Sequence, residues 1–199
     1  MEDVRPRESA TERRILDEAV RLFAERGFAG TSVQEVVEAA AVTKGALYHY
    51  FDSKDDLLYE IYHSLLTRQL ADLDRALAEG LPPAETVRTI LTDLIMSTAG
   101  HIDEAKVFSR EAHRLDGEHM HALRAGWRRY HVTFRRVIED AQKDAVFNAS
   151  VSADTVTLVA LGMVNQMPRW YRADGPKTAE HLADEVSTFV LDALRPVVA

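Results

Sequence analysis

The chain has 199 residues, no cysteine and a formal net charge of −8. The missing cysteines exclude a disulfide framework, a thiolate zinc site and a thiol nucleophile, which suits a reducing cytoplasm. No run of about eighteen apolar residues occurs, so a membrane span is not expected. The polar, mixed-charge opening MEDVRPRESATE does not read as a secretory signal.

Strand-like alternation is absent, and the pattern predicts an all-α chain of about nine helices. Ser9 and Glu12 form a capping-box signature ahead of a first helix that carries Ile15, Ala19, Leu22 and Phe23 on one face and ends at Gly27. Ser32 and Glu35 repeat that signature. They open a second helix with Val33, Val36, Val37 and Ala40 at helical spacing. The connection Ala40 to Thr43 leads into a short third helix that turns Leu47, Tyr50 and Phe51 inward. Ser53 is placed to cap helix four, with Asp55 and Asp56 complementing its dipole. That helix runs to Gly80, and Pro82-Pro83 mark the break before a fifth helix ending near Gly100.

A helix from about Ile102 to Leu115 follows, stopped at Asp116-Gly117. The next spans about Glu118 to Lys143 and carries Trp127, Tyr130, Phe134 and Ile138. Helix eight, about Ala153 to Tyr171, is apolar on most of its circumference, which predicts burial on more than one side. A turn at Ala173 to Pro176 precedes the last helix, about Thr178 to Leu194.

The pair of short helices between Val33 and Phe51 reads as a helix-turn-helix. It buries its apolar stripe and leaves Lys44, Tyr48 and His49 outside, an arrangement suited to a DNA groove. Charge argues the other way: residues 1–56 hold eight Lys or Arg against twelve Asp or Glu, while phosphate neutralisation normally supplies much of DNA affinity. The balance is local. Between Val42 and Lys54, Lys44, Lys54 and His49 face only Asp52. A small phosphate footprint per subunit is therefore expected, with pairing of subunits supplying much of the affinity.

The stretch Gly27 to Leu57, GFAGTSVQEVVEAAAVTKGALYHYFDSKDDL, resembles the DNA-binding domain of the TetR family of one-component transcriptional regulators. GF with TSV close behind, an acidic residue before a branched apolar pair, TKGALYHYF and SK-x-x-L carry the likeness over roughly residues 11–60. Val37 stands where a small Ala is usual and Ala41 where Gly is usual in the turn. Ala41 is therefore expected to take a left-handed conformation, at a small cost. The resemblance implies a helix-turn-helix DNA-binding domain at 1–52 and a helical ligand-binding and dimerisation domain at 53–199. The last two helices would form a four-helix bundle across a dimer axis. It also implies a homodimer on a palindromic operator, with recognition helices about 34–36 Å apart, and release by a small-molecule effector.

The same resemblance assigns DNA contacts. Thr43 caps and donates to a phosphate, Lys44 reaches a base edge or a phosphate, and Gly45 lets the backbone come close. Tyr48 and His49 make phosphate and sugar contacts, and Thr31, Ser32 and Lys54 resemble the flanking phosphate clamps. Tyr50 and Phe51 read as core rather than as stacking aromatics.

In the body, Lys106 to Lys143 holds nine Lys or Arg against five acids. That run is either a solvated face with pairs such as Arg135–Glu139 and Arg136–Asp140 or a site for an anionic ligand. Arg169, Trp170 and Arg172 ahead of Asp174-Gly175-Pro176 resemble a segment of TetR members that answer to acyl-coenzyme A thioesters. Arg beside Trp suits a nucleotide phosphate and an adenine ring. Flat aromatic drugs are the competing ligands, given Trp127, Tyr130, Phe134 and Met163.

Five of eight histidines fall between His101 and His131, at spacings that do not suit a metal site. No G-x-S-x-G, phosphate loop or dinucleotide fingerprint is present, so neither an enzyme nor a bound cofactor is expected. The alternative to a repressor is a helical ligand-binding or scaffolding dimer that has lost operator binding, which the acidic head would favour.

Overall fold

The computed structural model describes residues 9–115 and 117–196; the opening segment 1–8 and Asp116 of the expected Asp116-Gly117 stop lie outside the described residues. Among the described residues every regular element is helical. Helix α1 spans Ala10–Arg26 and α2 Val33–Ala39, each opened by a complete capping box. Ser9 Oγ accepts the Glu12 N–H at 3.1 Å, and Ser32 Oγ accepts the Glu35 N–H at 3.2 Å. The two glutamates return the bond to the capping residue's own N–H.

Helix α3 is Lys44–Tyr50, α4 Lys54–Ala78, α5 Pro83–Gly100 and α6 Ile102–Glu111, continued by a 3-10 turn at Ala112–Arg114. Helix α7 is Gly117–Lys143, α8 Ala153–Asn165, α9 Met167–Trp170 and α10 Ala179–Ala193. Ser53, Ser152 and Thr178 accept the orphan N–H groups at the starts of α4, α8 and α10.

Two compact units result: residues 1–64 with 103–120, and residues 65–102 with 121–199. This division falls elsewhere than a boundary at 52/53. The start of α4, together with α6 and its 3-10 turn, belongs with the helix-turn-helix.

In the first unit α1, α2 and α3 pack on one another around Ile15, Ala19, Leu22, Phe23, Val36, Leu47 and Phe51, all close to fully buried. The turn after α2 closes with the Val42 N–H on the Val37 carbonyl at 3.1 Å and the Ala41 N–H on the Glu38 carbonyl at 3.1 Å. This is a Schellman closure, and it holds Ala41 at φ +51°, in the left-handed region. Helix α7 ends the same way, with Ala145 at φ +56° and the Val146 N–H on the Ala141 carbonyl at 2.9 Å.

In the second unit α10 lies chiefly against α5 and also touches α8. Its core gathers Ile90, Leu91, Ile95, Phe134, Ile138, Ala160, Val164 and Leu182. Helices α4 and α7 cross closely at Gly126, where a Cβ would lie 2.6 Å from Leu66 Cδ2. The single helix expected from Ala153 to Tyr171 is divided at Gln166. Pro168 has no N–H for the Val164 carbonyl and its ring crowds that oxygen, so the helix stops and α9 restarts with proline in its first turn.

The over-apolar α8 divides its surface. Val156, Ala160, Leu161 and Val164 face the core, whereas Leu158 and Val159 are 58% and 47% exposed. On α10, Phe189 is 59% exposed.

Candidate nucleic-acid interface

The outward face of α3 is built from its own periodicity. Leu47 and the following Phe51 are buried, and Tyr50 is half-buried, its hydroxyl accepting a hydrogen bond from Ser9 Oγ at 2.9 Å. That orientation leaves Thr43, Lys44, Gly45, Tyr48 and His49 exposed together. Thr43 Oγ1 accepts the Ala46 N–H at 3.1 Å, which spends a lone pair and leaves the hydroxyl proton available to a phosphate oxygen. Gly45 meets nothing but Thr43 Oγ1, at 3.9 Å from where a Cβ would be, so the helix surface there is bare backbone. Lys44 Nζ sits 5.8 Å from the Tyr48 ring centroid, pairing the cation with the aromatic on one face.

Two residues that the resemblance assigns to phosphate clamping turn inward instead. Thr31 is 2% exposed, and its hydroxyl donates to the carbonyls of Gly27, at 3.0 Å, and Leu22, at 3.3 Å. Lys54 folds back over the α1–α2 turn. Its ammonium donates to the Phe28 carbonyl at 2.5 Å and the Thr31 carbonyl at 2.6 Å, and lies 4.1 Å from the centre of the Phe28 ring. Burial holds this amine below the usual lysine range. Both side chains are spent on backbone carbonyls at the end of α1 and in the turn after it.

Ser32 is exposed, but its hydroxyl is already committed, donating to Glu35 Oε2 at 2.8 Å while accepting the Glu35 N–H. With Lys54 turned inward, Lys44 and His49 are the basic groups presented around α3, with Asp52 exposed beside them.

Of the body residues, Tyr130 and Phe134 share one core cluster, against which Met163 packs. Phe134 is fully enclosed in the second unit's core and Tyr130 nearly so, with burial pushing the Tyr130 phenol well up. Phe134 belongs to the core cluster that α7 shares with α5 and α8. Trp127 and Met163 are half-buried. Arg169, Trp170 and Arg172 are exposed, and Arg172 Nε bonds Asp174 Oδ1 at 3.3 Å in the turn that follows α9.

A cleft of about 330 Å³ opens elsewhere, along α4 and α5, lined by Arg68, Asp72, Asp93, Met96, Ser97 and His101. Helical spacing predicts only that Arg68 and Asp72 share a face; the approach of α5 is a tertiary fact. Along α7, Arg135 and Arg136 take Glu139 and Asp140 as i,i+4 partners, and Arg129 reaches Asp74 of α4 at 2.7 Å. Among the described residues no three His, Asp or Glu side chains converge as metal ligands.

The family described as "Bacterial regulatory proteins, tetR family" matches residues 15–61, and "Tetracyclin repressor-like, C-terminal domain" matches residues 80–194. The chain belongs to the TetR family. It is similar to the HTH-type transcriptional repressor KstR2 of Rhodococcus jostii (strain RHA1), at 27% identity over 181 residues, covering 90% of this chain and 89% of that one. Among solved structures it is similar to the TetR-family regulator PfmR from Thermus thermophilus, with a TM-score of 0.83 at 30% identity over 94% of this chain and 100% of that one. It is also similar to AibR in complex with isovaleryl coenzyme A and operator DNA, with a TM-score of 0.77 at 27% identity over 90% of this chain and 97% of that one.

As a TetR-family protein it is a DNA-binding transcriptional regulator rather than an enzyme. Helix α3 occupies the recognition position of the helix-turn-helix. Among the described residues no helix is long and apolar enough to cross a membrane.

Proposed function

We propose that this TetR-family regulator is a cytoplasmic repressor that grips a palindromic operator as a homodimer and lets go when a partly apolar small molecule, an acyl-coenzyme A thioester, enters its body. The observation that carries the reading is the outward face of α3, where Thr43, Lys44, Gly45, Tyr48 and His49 stand exposed together on a helix anchored by Leu47. Thr43 and Tyr48 fix phosphates, Lys44 reaches a base edge, and Gly45 admits close approach. Pairing is supported by Leu158, Val159 and Phe189, large apolar side chains left outside on α8 and α10. The effector class is supported by AibR, whose structure holds isovaleryl coenzyme A and operator DNA. Exposed Arg169, Trp170 and Arg172 offer a guanidinium and an indole to a nucleotide. An effector displaces the operator only by binding one body shape better than the other.

Footprinting on DNA flanking the regulator's own gene tests the operator. Protection is expected, and Lys44→Ala with Tyr48→Ala abolishes it without loss of helicity. Affinity falls with salt at a slope of about −0.9 per phosphate neutralised. An absence of binding at low salt would replace this reading with a ligand-binding scaffold, the alternative that the acidic head favours. For the effector, calorimetry over an acyl-chain-length series is expected to show binding that Arg169→Ala weakens. Silence across the series removes the acyl-coenzyme A assignment and leaves the operator reading standing.

A further inference from the structure

Residues 103–120 form one compact unit with the helix-turn-helix, although about forty residues of the other unit separate them in sequence. What they do there is specific. The last turn of α6 and the 3-10 turn after it hold the α1–α2 turn by its backbone. Arg110 Nη1 donates to the Ala24 carbonyl at 3.3 Å. Glu111 Oε1 accepts the Phe28 N–H at 3.4 Å, while its Oε2 accepts Arg114 Nε at 2.7 Å. The Arg114 guanidinium lies 5.6 Å from the centre of the Phe28 ring, which the Lys54 ammonium also faces. Gly27, at φ +76°, brings the turn close to this carboxylate: a Cβ there would stand 3.8 Å from Glu111 Oε1.

Phe28 is thus a node. Its ring packs edge-on against Phe23 with centroids 5.1 Å apart, its carbonyl takes Lys54 and its N–H takes Glu111. The Glu111 side chain is only 13% exposed, so the bond is sheltered from competing water. It is also the acceptor for an N–H on a residue that is itself 7% exposed. Without the carboxylate that N–H has no replacement, and the cations of Arg114 and Lys54 crowd one ring uncompensated. The turn ends at Ser32, the cap of α2, so its position sets where α2 starts and therefore how α3 is offered.

We infer that Glu111 is a positioning residue for DNA binding. It touches no DNA, and it acts by fixing the Gly27–Thr31 turn that sets the helix-turn-helix. The inference rests on α3 being the DNA-reading helix.

The test uses the full-length protein and the variants Glu111→Gln, Glu111→Ala and Arg114→Ala. Hydrogen exchange of the free protein is read by mass spectrometry on peptides covering residues 24–32. Glu111→Ala is expected to speed exchange there about tenfold or more, Glu111→Gln less because it keeps an acceptor, with peptides from α5, α8 and α10 unchanged. Binding to the footprinted duplex, well below the melting temperature, is expected to weaken about tenfold in Glu111→Ala. The slope of affinity against salt is expected to stay at the parent value, whereas Lys44→Ala lowers it by about one phosphate. A purely structural role would leave affinity unchanged once the variant is folded, and a direct phosphate contact would change the slope. Parent-like exchange at 24–32, or faster exchange with parent-like affinity, overturns the inference. A parent protein that protects no duplex overturns the operator reading itself, and the positioning role falls with it.

Discussion

Replacing Ala41 by glycine is expected to stabilise this protein. Ala41 closes α2 in the left-handed region at φ +51°, and its N–H and that of Val42 are both bonded to α2 carbonyls, so the conformation cannot relax without losing the turn. An L-residue with a Cβ carries about 1–2 kcal/mol there, and glycine does not. Glycine gives back about 0.4–1 kcal/mol through its freer unfolded chain. The net gain is about 0.5–1 kcal/mol, or roughly 1–4 °C in melting temperature for a chain of this size. Ala145, at φ +56° after α7, presents the same geometry in the other compact unit. Ala145→Gly should therefore give a similar gain, and the two should add.

The control is the neighbour. Ala40 is right-handed at φ −73° and 1% exposed, so Ala40→Gly loses both helix propensity and a buried methyl, about 1–2 kcal/mol in the opposite direction. Thermal and urea melts at one fixed protein concentration measure all four proteins. If Ala41→Gly lowers the midpoint as Ala40→Gly does, the left-handed alanine is not the source of the strain and the reasoning fails.

Gly126→Ala sets a methyl 2.6 Å from Leu66 Cδ2; it should cost about 1–3 kcal/mol in a urea melt, and pairing it with Leu66→Ala should cost less than the sum of the single changes. Phe189→Asp should yield a monomer by sedimentation velocity with unchanged helicity and no operator binding, because the side chain is exposed and outside the core; a dimer that persists would move the pairing surface off α10. The Glu35 carboxylate is held below its usual value of 4.5, first by the Ser32 N–H and then by the Ser32 hydroxyl. A depressed carboxylate contributes stability that is present above its unfolded value and lost as pH falls through its folded one. Glu35→Gln should accordingly flatten the acid limb of a pH–stability profile of the head below about pH 5, and an unchanged limb would remove Glu35 from acid unfolding.

Local chemistry was readable in the residues and long-range chemistry was not. The capping boxes at Ser9–Glu12 and Ser32–Glu35, the caps at Thr43 and Ser53 and the left-handed Ala41 all follow from neighbours within five positions. So does the exposed set on α3, which needs only the burial of Leu47 to fix its direction. Pro168 was visible too. The apolar run from Val156 to Met167 made one long helix look continuous, and the proline ring overrules that pattern. Thr31 and Lys54 could not be placed from spacing, because their partners are backbone carbonyls brought close by the turn after α1. Nor does any periodicity bring Glu111 to Phe28, 83 positions away. The body aromatics show the same limit: Phe134 and Tyr130 have the right chemistry for a ligand wall, and only packing shows how deeply they are buried.

The inward turn of Lys54 carries a practical corollary. Its ammonium bonds two peptide oxygens and faces an arene, so electrolyte has less to shield there than at an ion pair held only by charge. Molar sodium chloride should strip the duplex from this protein and leave the reading module folded. Elution from a heparin column should then return native material, and a dissociation isotherm against ionic strength should count displaced counterions without contamination from melting.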